Sequence, residues 1–181
     1  IQAIVNNLES RLDQLQNAEG SSAWFGELQE FLATELVPAF RGTVSWCRNR
    51  ITSAGMAMDT ELSQEDRTLS PSDFGFHNCL RRGNGQLVFL DFEYFGWDDP
   101  AKMICDFLLH PAMDSNVSLK MRFVENMLGT PKPDQTLLER VETVYPLFGL
   151  KWCLIILNPF LPRYRLQRGL GGVSGLSRNR I

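Results

Sequence analysis

Three polar residues in one short stretch have the types and spacing that phosphate chemistry asks for. Asp73 and Asn78 stand five apart in the segment LSPSDFGFHNCLRRGNGQLVFLDFEYFGWDDP (69–100), and Asp91 follows thirteen residues after Asn78. Asp91 closes the apolar run Leu87-Val88-Phe89-Leu90, and Gly83-Asn84-Gly85 ahead of that run is a hairpin signal. A hairpin with one strand around Cys79–Arg81 and the other at 87–90 brings Asn78 and Asp91 to the same mouth. Asp73 then lies close by on the incoming loop. Two side-chain oxygens and a third carboxylate so placed suit a Mg²⁺ ion holding phosphates and a base facing a hydroxyl. Asp73 would orient that hydroxyl and take its proton. Asn78 would offer a neutral amide oxygen, and Asp91 a carboxylate, to the metal. Each has a plainer reading: Asp73 as a turn former, Asn78 bonded to its own backbone, Asp91 paired with a buried Arg or capping a turn.

The pattern resembles the catalytic core of the aminoglycoside phosphotransferase and choline kinase group, relatives of the protein kinases. Asp73-Phe74-Gly75-Phe76-His77-Asn78 is similar to the D-x-x-x-x-N part of their H-x-D-x-x-x-x-N loop. Leu90-Asp91-Phe92-Glu93 resembles their metal-binding motif, and Asp98-Asp99-Pro100-Ala101 resembles the segment that opens their next helix. Pro71-Ser72 departs from the usual His-Gly of that loop. The resemblance implies a catalytic Asp73, Mg²⁺ and ATP held through Asn78 and Asp91, and a hydroxyl acceptor that is a sugar, an amino alcohol or an aminoglycoside. It covers roughly residues 20–160, the large lobe alone. No Gly-rich loop between strand-like runs and no strand with a phosphate-pairing Lys precede residue 69, and the G-x-x-G at Gly172–Gly175 lies in the tail. The chain, starting at Ile1, therefore reads as half an enzyme whose partner is a missing N-terminal lobe. A non-catalytic kinase-like binding module is the competing reading, and an unrelated helical scaffold a third.

The 181 residues allow one domain with a sizeable core, and 44% hydrophobic with 22% charged residues is ordinary globular composition. A net charge of −3 offers no electrostatic reason to expect nucleic acid or an anionic membrane as partner. Cys47, Cys79, Cys105 and Cys153 form no C-x-x-C pair, the usage of a reducing compartment. The longest unbroken apolar run, 153–157, is too short to cross a bilayer. These features lead to an expectation of a cytoplasmic protein.

The elements that must position the site read as mainly helical, with a small β-hairpin at the catalytic face. Residues 1–19 are an amphipathic N-terminal helix or interlobe segment, 20–162 a kinase-like C-terminal lobe, and 163–181 a basic Gly-rich tail. Within the lobe a helix capped by Ser22 spans 23–40, its Trp24-to-Phe40 stripe facing a core and Pro38 bending or ending it. A further helix spans 43–57, with Arg41, Arg48 and Arg50 on its wet side. Asp99-Pro100 starts the helix after the hairpin, with Asp106 on it in a structural place. Another runs 116–128 to Gly129, and 136–157 is a helical pair or one helix bent at Pro146. His77 is expected to bond loop backbone. Phe92, Tyr94, Phe95 and Trp97 are read as core packing first and as an acceptor wall or cation cage second. Glu93 and Asp98 are open between solvated acids and partners of the site.

Overall fold

Apolar residues at three- and four-residue steps give α1 (Gln2–Gln16) a buried stripe of Val5, Leu8, Leu12 and Leu15. The structure is a computed structural model that describes residues 1–20, 23–113, 116–129 and 131–164. It is mostly helical, 62% helix and 8% strand, with two small two-stranded sheets. Ser22, expected as a cap, and 165–181 of the expected tail lie outside the described residues.

The helices expected at 23–40 and 43–57 are one helical course. α2 (Ala23–Phe31) passes through a π-type turn, Leu32–Leu36, into α3 (Val37–Ser53). Pro38 does not end the helix. It follows the widened turn at the very start of α3, where a missing N–H is tolerated. The burial is also narrower than the aromatic stripe suggests. Leu28, Leu32, Leu36, Phe40, Val44, Cys47 and Ile51 are buried, whereas Trp24, Phe31, Trp46 and Met56 are exposed. The neighbouring helices cover only part of a stripe that wide. Arg50, expected in solvent, reaches across to α6 (Gln135–Ile156), donating to Glu142 Oε2 at 2.6 Å and Thr143 Oγ1 at 2.9 Å.

α6 is a single helix that contains Pro146, and α1, α3, α4 (Pro100–Leu109) and α5 (Val117–Leu128) all pack on it. Two apolar clusters result. One joins α1, α2 and α3 to Leu147, Leu150 and Leu154; the other joins Ala101, Ile104 and Cys105 of α4 to Val141, Val144 and Phe148. Gln135–Phe160 is long and apolar enough, by length and composition only, to cross a membrane, a test that the core helix of a soluble protein also passes.

β2 (Cys79–Arg81) and β3 (Leu87–Phe89) form the expected hairpin, with Cys79 opposite Phe89. Gly85 adopts φ 84° in its turn, where Asn84 Oδ1 accepts the Gln86 N–H at 3.0 Å. A second pairing was not expected from the sequence. β1 (Thr68–Ser70) runs antiparallel to β4 (Gly96–Asp98), Thr68 opposite Asp98, and so clasps the two ends of the chemistry-bearing segment together.

Candidate active site

The clasp and the hairpin between them fix where the three singled-out residues go. The Leu90 N–H donates to the Asn78 carbonyl at 2.9 Å, one step beyond the last strand pair, so Asp91 follows directly at the mouth beside Asn78. Asn78 Nδ2 donates to the Asp73 carbonyl at 3.0 Å. This ties the loop 73–78 into a closed turn and leaves Asn78 Oδ1 without a partner among the described residues. Asp91 is exposed, and its carboxylate bonds neither an Arg nor a turn N–H among the described residues, which leaves its two plainer readings without support. Its backbone adopts φ 63°. That region is uncommon for a residue with a Cβ, although Asp and Asn enter it more readily than most.

Asp73 is held from two sides. His77 Nε2 lies 3.0 Å from Asp73 Oδ1, and His110 Nε2 lies 3.5 Å from the same oxygen. The imidazoles stack with centroids 3.9 Å apart and planes at 10°. The Ala112 N–H donates to His110 Nδ1 at 3.0 Å. The neutral His110 ring therefore carries its proton on Nε2, facing Asp73. Burial above all, and then the neighbouring His77, pushes the His110 pKa down, so the ring serves as a neutral donor near pH 7. His77 thus bonds a carboxylate and not loop backbone, because the 3₁₀ turn Phe76–Asn78 swings its ring back over the residue one turn earlier. Asp73 Oδ2 remains open.

These three side chains also offer ligand atoms within 4.8 Å of one another, as a metal site would. His110 argues against that use. Ligation through Nε2 would move its proton to Nδ1, where it would meet the Ala112 N–H. Nearly parallel stacked rings also aim their lone pairs side by side instead of at one point. Asn78 Oδ1 and the Asp91 carboxylate are oxygen donors, the ligand type that Mg²⁺ takes.

Ser72 stands where the resembled loop has Gly, and it adopts φ 65°. A web of ions holds it there. Lys102 Nζ donates to Ser72 Oγ at 3.0 Å and to Asp98 Oδ2 at 2.5 Å, and lies 3.7 Å from Asp106. Lys151 Nζ reaches Asp106 Oδ1 at 2.6 Å, and Asp106 is 8% exposed. Asp98 is accordingly a partner of the loop, not a solvated acid. Asp99 caps α4 by accepting the Ala101 N–H and pairs with Arg140 at 2.6 Å. Asp106 ties α4 to α6, the structural place expected of it.

Compared with known protein families, curated proteins and solved structures, the chain matches none. The site is therefore read from its own atoms. Phe92, Tyr94, Phe95 and Trp97 are not core residues; all four are about half exposed or more. They do not close a cage, since Phe92 and Phe95 pair edge to face while Trp97 lines a separate cavity with Arg67. Sequence reasoning missed His110, Lys102, Lys151 and Arg11. His77, four residues from Asp73, and Lys102, four residues from both Asp98 and Asp106, carried local signals; His110, Lys151 and Arg11 come from elements distant in sequence.

Proposed function

We propose that this chain is the catalytic part of an ATP-dependent small-molecule kinase, a phosphotransferase with an alcohol group as acceptor. The observation that supports the reading is that Asn78 and Asp91 flank one strand mouth, each with a side-chain oxygen that has no partner among the described residues, while two imidazoles hold Asp73 on the incoming loop. Asn78 and Asp91 would hold Mg²⁺, which neutralises phosphate charge when bound. Asp73 Oδ2 accepts the proton of the acceptor hydroxyl as its oxygen bonds the γ-phosphorus and the bond to the departing ADP breaks. His77 and His110 restrain Oδ1, so the carboxylate cannot rotate away from the hydroxyl. That restraint takes the place of the loop His that the resembled pattern would have near residue 71.

Exposed Leu80 and Leu87 on the two faces of the hairpin, Phe92 beyond it and Trp97 on β4 give the segment 80–97 an apolar surface. The same proposal assigns it to a nucleotide-covering lobe of the protein, upstream of this chain. A non-catalytic binding module remains the second reading, and the Pro71-Ser72 departure favours it.

Calorimetric titration of Mg²⁺·ATP into the protein with its upstream coding sequence included, beside its Asp91→Asn variant, decides the matter. Asn also tolerates φ near 63°, so the variant removes charge and leaves the turn. Metal-dependent binding that weakens at least about tenfold in the variant is expected, since one of two charged or polar metal ligands loses its charge. No binding by the unaltered protein would sink the kinase reading.

A further inference from the structure

Among the described residues four buried side-chain nitrogen or oxygen atoms have no hydrogen-bond partner, and three of them belong to residues around one cavity. They are Arg11 Nη1 from α1, Trp152 Nε1 from α6 and Asn158 Oδ1 from the 3₁₀ turn Asn158–Phe160. Unpaired buried polar atoms each cost about 1–3 kcal/mol, so three of them on residues around one space call for partners that the described residues do not supply. The cavity, about 510 Å³, is bounded on another side by Ser72 and Asp73. Its volume lies within the roughly 300–1,000 Å³ of small-molecule sites.

The charged groups lining this cavity, Arg11 and Lys151 against Asp73 and Asp106, balance in number but not in pairing. Lys151 is committed to Asp106, and Asp106 is further matched by Lys102. Asp73 Oδ1 is engaged by two imidazoles. Arg11 donates through Nε to the Asn7 amide at 3.1 Å and has no carboxylate partner among the described residues. A half-buried guanidinium, permanently charged and shaped as a fork, is suited to a carboxylate or phosphate group.

We propose that the hydroxyl acceptor is an anionic polyol, a hydroxylated small molecule whose carboxylate or phosphate docks on Arg11 while its hydroxyl faces Asp73. Trp152 Nε1 and Asn158 Oδ1 supply one further donor and one further acceptor for its hydroxyl groups after small side-chain rotations. This deepens the kinase reading and rests on it for the identity of the reaction: the hydroxyl proton passes to Asp73 and the phosphoryl group of ATP to the oxygen. It also selects against cationic acceptors, amino alcohols and aminoglycosides among them.

Four matched six-carbon probes test it by calorimetry on the same protein without ATP: D-gluconate, D-glucitol 6-phosphate, D-glucitol and D-glucamine. At least one of the two anions is expected to bind about tenfold or more tightly than neutral glucitol, and cationic glucamine more weakly still. The tighter anion tells carboxylate from phosphate. Arg11→Gln should erase the advantage and Arg11→Lys keep part of it. Absence of any preference for an anion, including absence of binding by all four, overturns the proposal, as does a preference that survives Arg11→Gln. Because no nucleotide is present, a protein that prefers the anion yet fails to bind Mg²⁺·ATP would refute the kinase and leave the anion site standing.

Discussion

Among the described residues two with side chains, Ser72 and Asp91, adopt positive φ in the left-handed region, and they flank the loop and hairpin that carry the candidate chemistry. Such conformations persist when surrounding bonds over-determine them, and they concentrate at functional sites. At Ser72 the bonds are visible: its own N–H donates to Ser70 Oγ at 3.1 Å, and Lys102 anchors its hydroxyl. Ser72→Gly removes the backbone strain and loses the lysine bond, so the two effects, each about 1 kcal/mol, nearly cancel. Ser72→Val loses the bond and puts a β-branched side chain in the same conformation, and should cost about 2 kcal/mol or more. Denaturant titration of the two variants checks this: equal stabilities would show that residue 72 is not held as described. Gly75, three residues on, is constrained by space, since an added Cβ would come within 2.6 Å of His77 Nδ1 and 2.7 Å of Met113 Sδ.

At the scale of elements, the site is built where one clasp, one hairpin and two helices meet. The β1–β4 pairing closes the segment, and α4 and α6 deliver His110, Lys102 and Lys151 to its underside. Asp106 joins these helices through a mostly buried carboxylate shared by two ammonium groups. Breaking such an arrangement from one side leaves charges without their partner. Asp106→Asn should therefore lower unfolding stability by on the order of 2–3 kcal/mol, less than for fully buried ions because both lysines are about a quarter exposed. A loss well under 1 kcal/mol in thermal or chemical unfolding would show that the helices are joined by apolar packing alone. The π-type turn at Leu32–Leu36 is the other element-scale feature, and it lets one helical course carry Pro38.

For the whole molecule, α6 is the axis to which both apolar clusters attach, and burial decides how its neighbours behave chemically. Burial pushes the Cys47 thiol up to about 11, and the Cys105 thiol higher still, while Cys153 is exposed. The thiolate is the reactive form, so in the folded protein a disulfide-exchange reagent at pH 8 should label Cys153 promptly and leave Cys47 and Cys105 until unfolding. Prompt labelling of all four cysteines, read by mass spectrometry, would mean that the helical core is not packed as described.

The amino-acid order alone was enough for the amphipathic helices, the cap at Asp99, and the hairpin whose last bond joins Leu90 to Asn78. Each of these rests on local rules: apolar period, turn residues, and the two-residue alternation that turns a loop length into a register. It was not enough for the β1–β4 clasp, whose three-residue strands carry no periodicity of their own. Nor did it reveal that Pro38 lies within a continuous helical course, because a widened turn depends on how the flanking faces pack. The partners of Asp73, Ser72 and Asp106 were hidden for the same reason. His110 and Lys151 lie tens of residues from the groups they touch, and only the packing of α4 on α6 brings them there. Arg11 reads in sequence as one charged residue on the wet side of a helix. Only the tertiary structure places it beside the cavity that also borders Asp73.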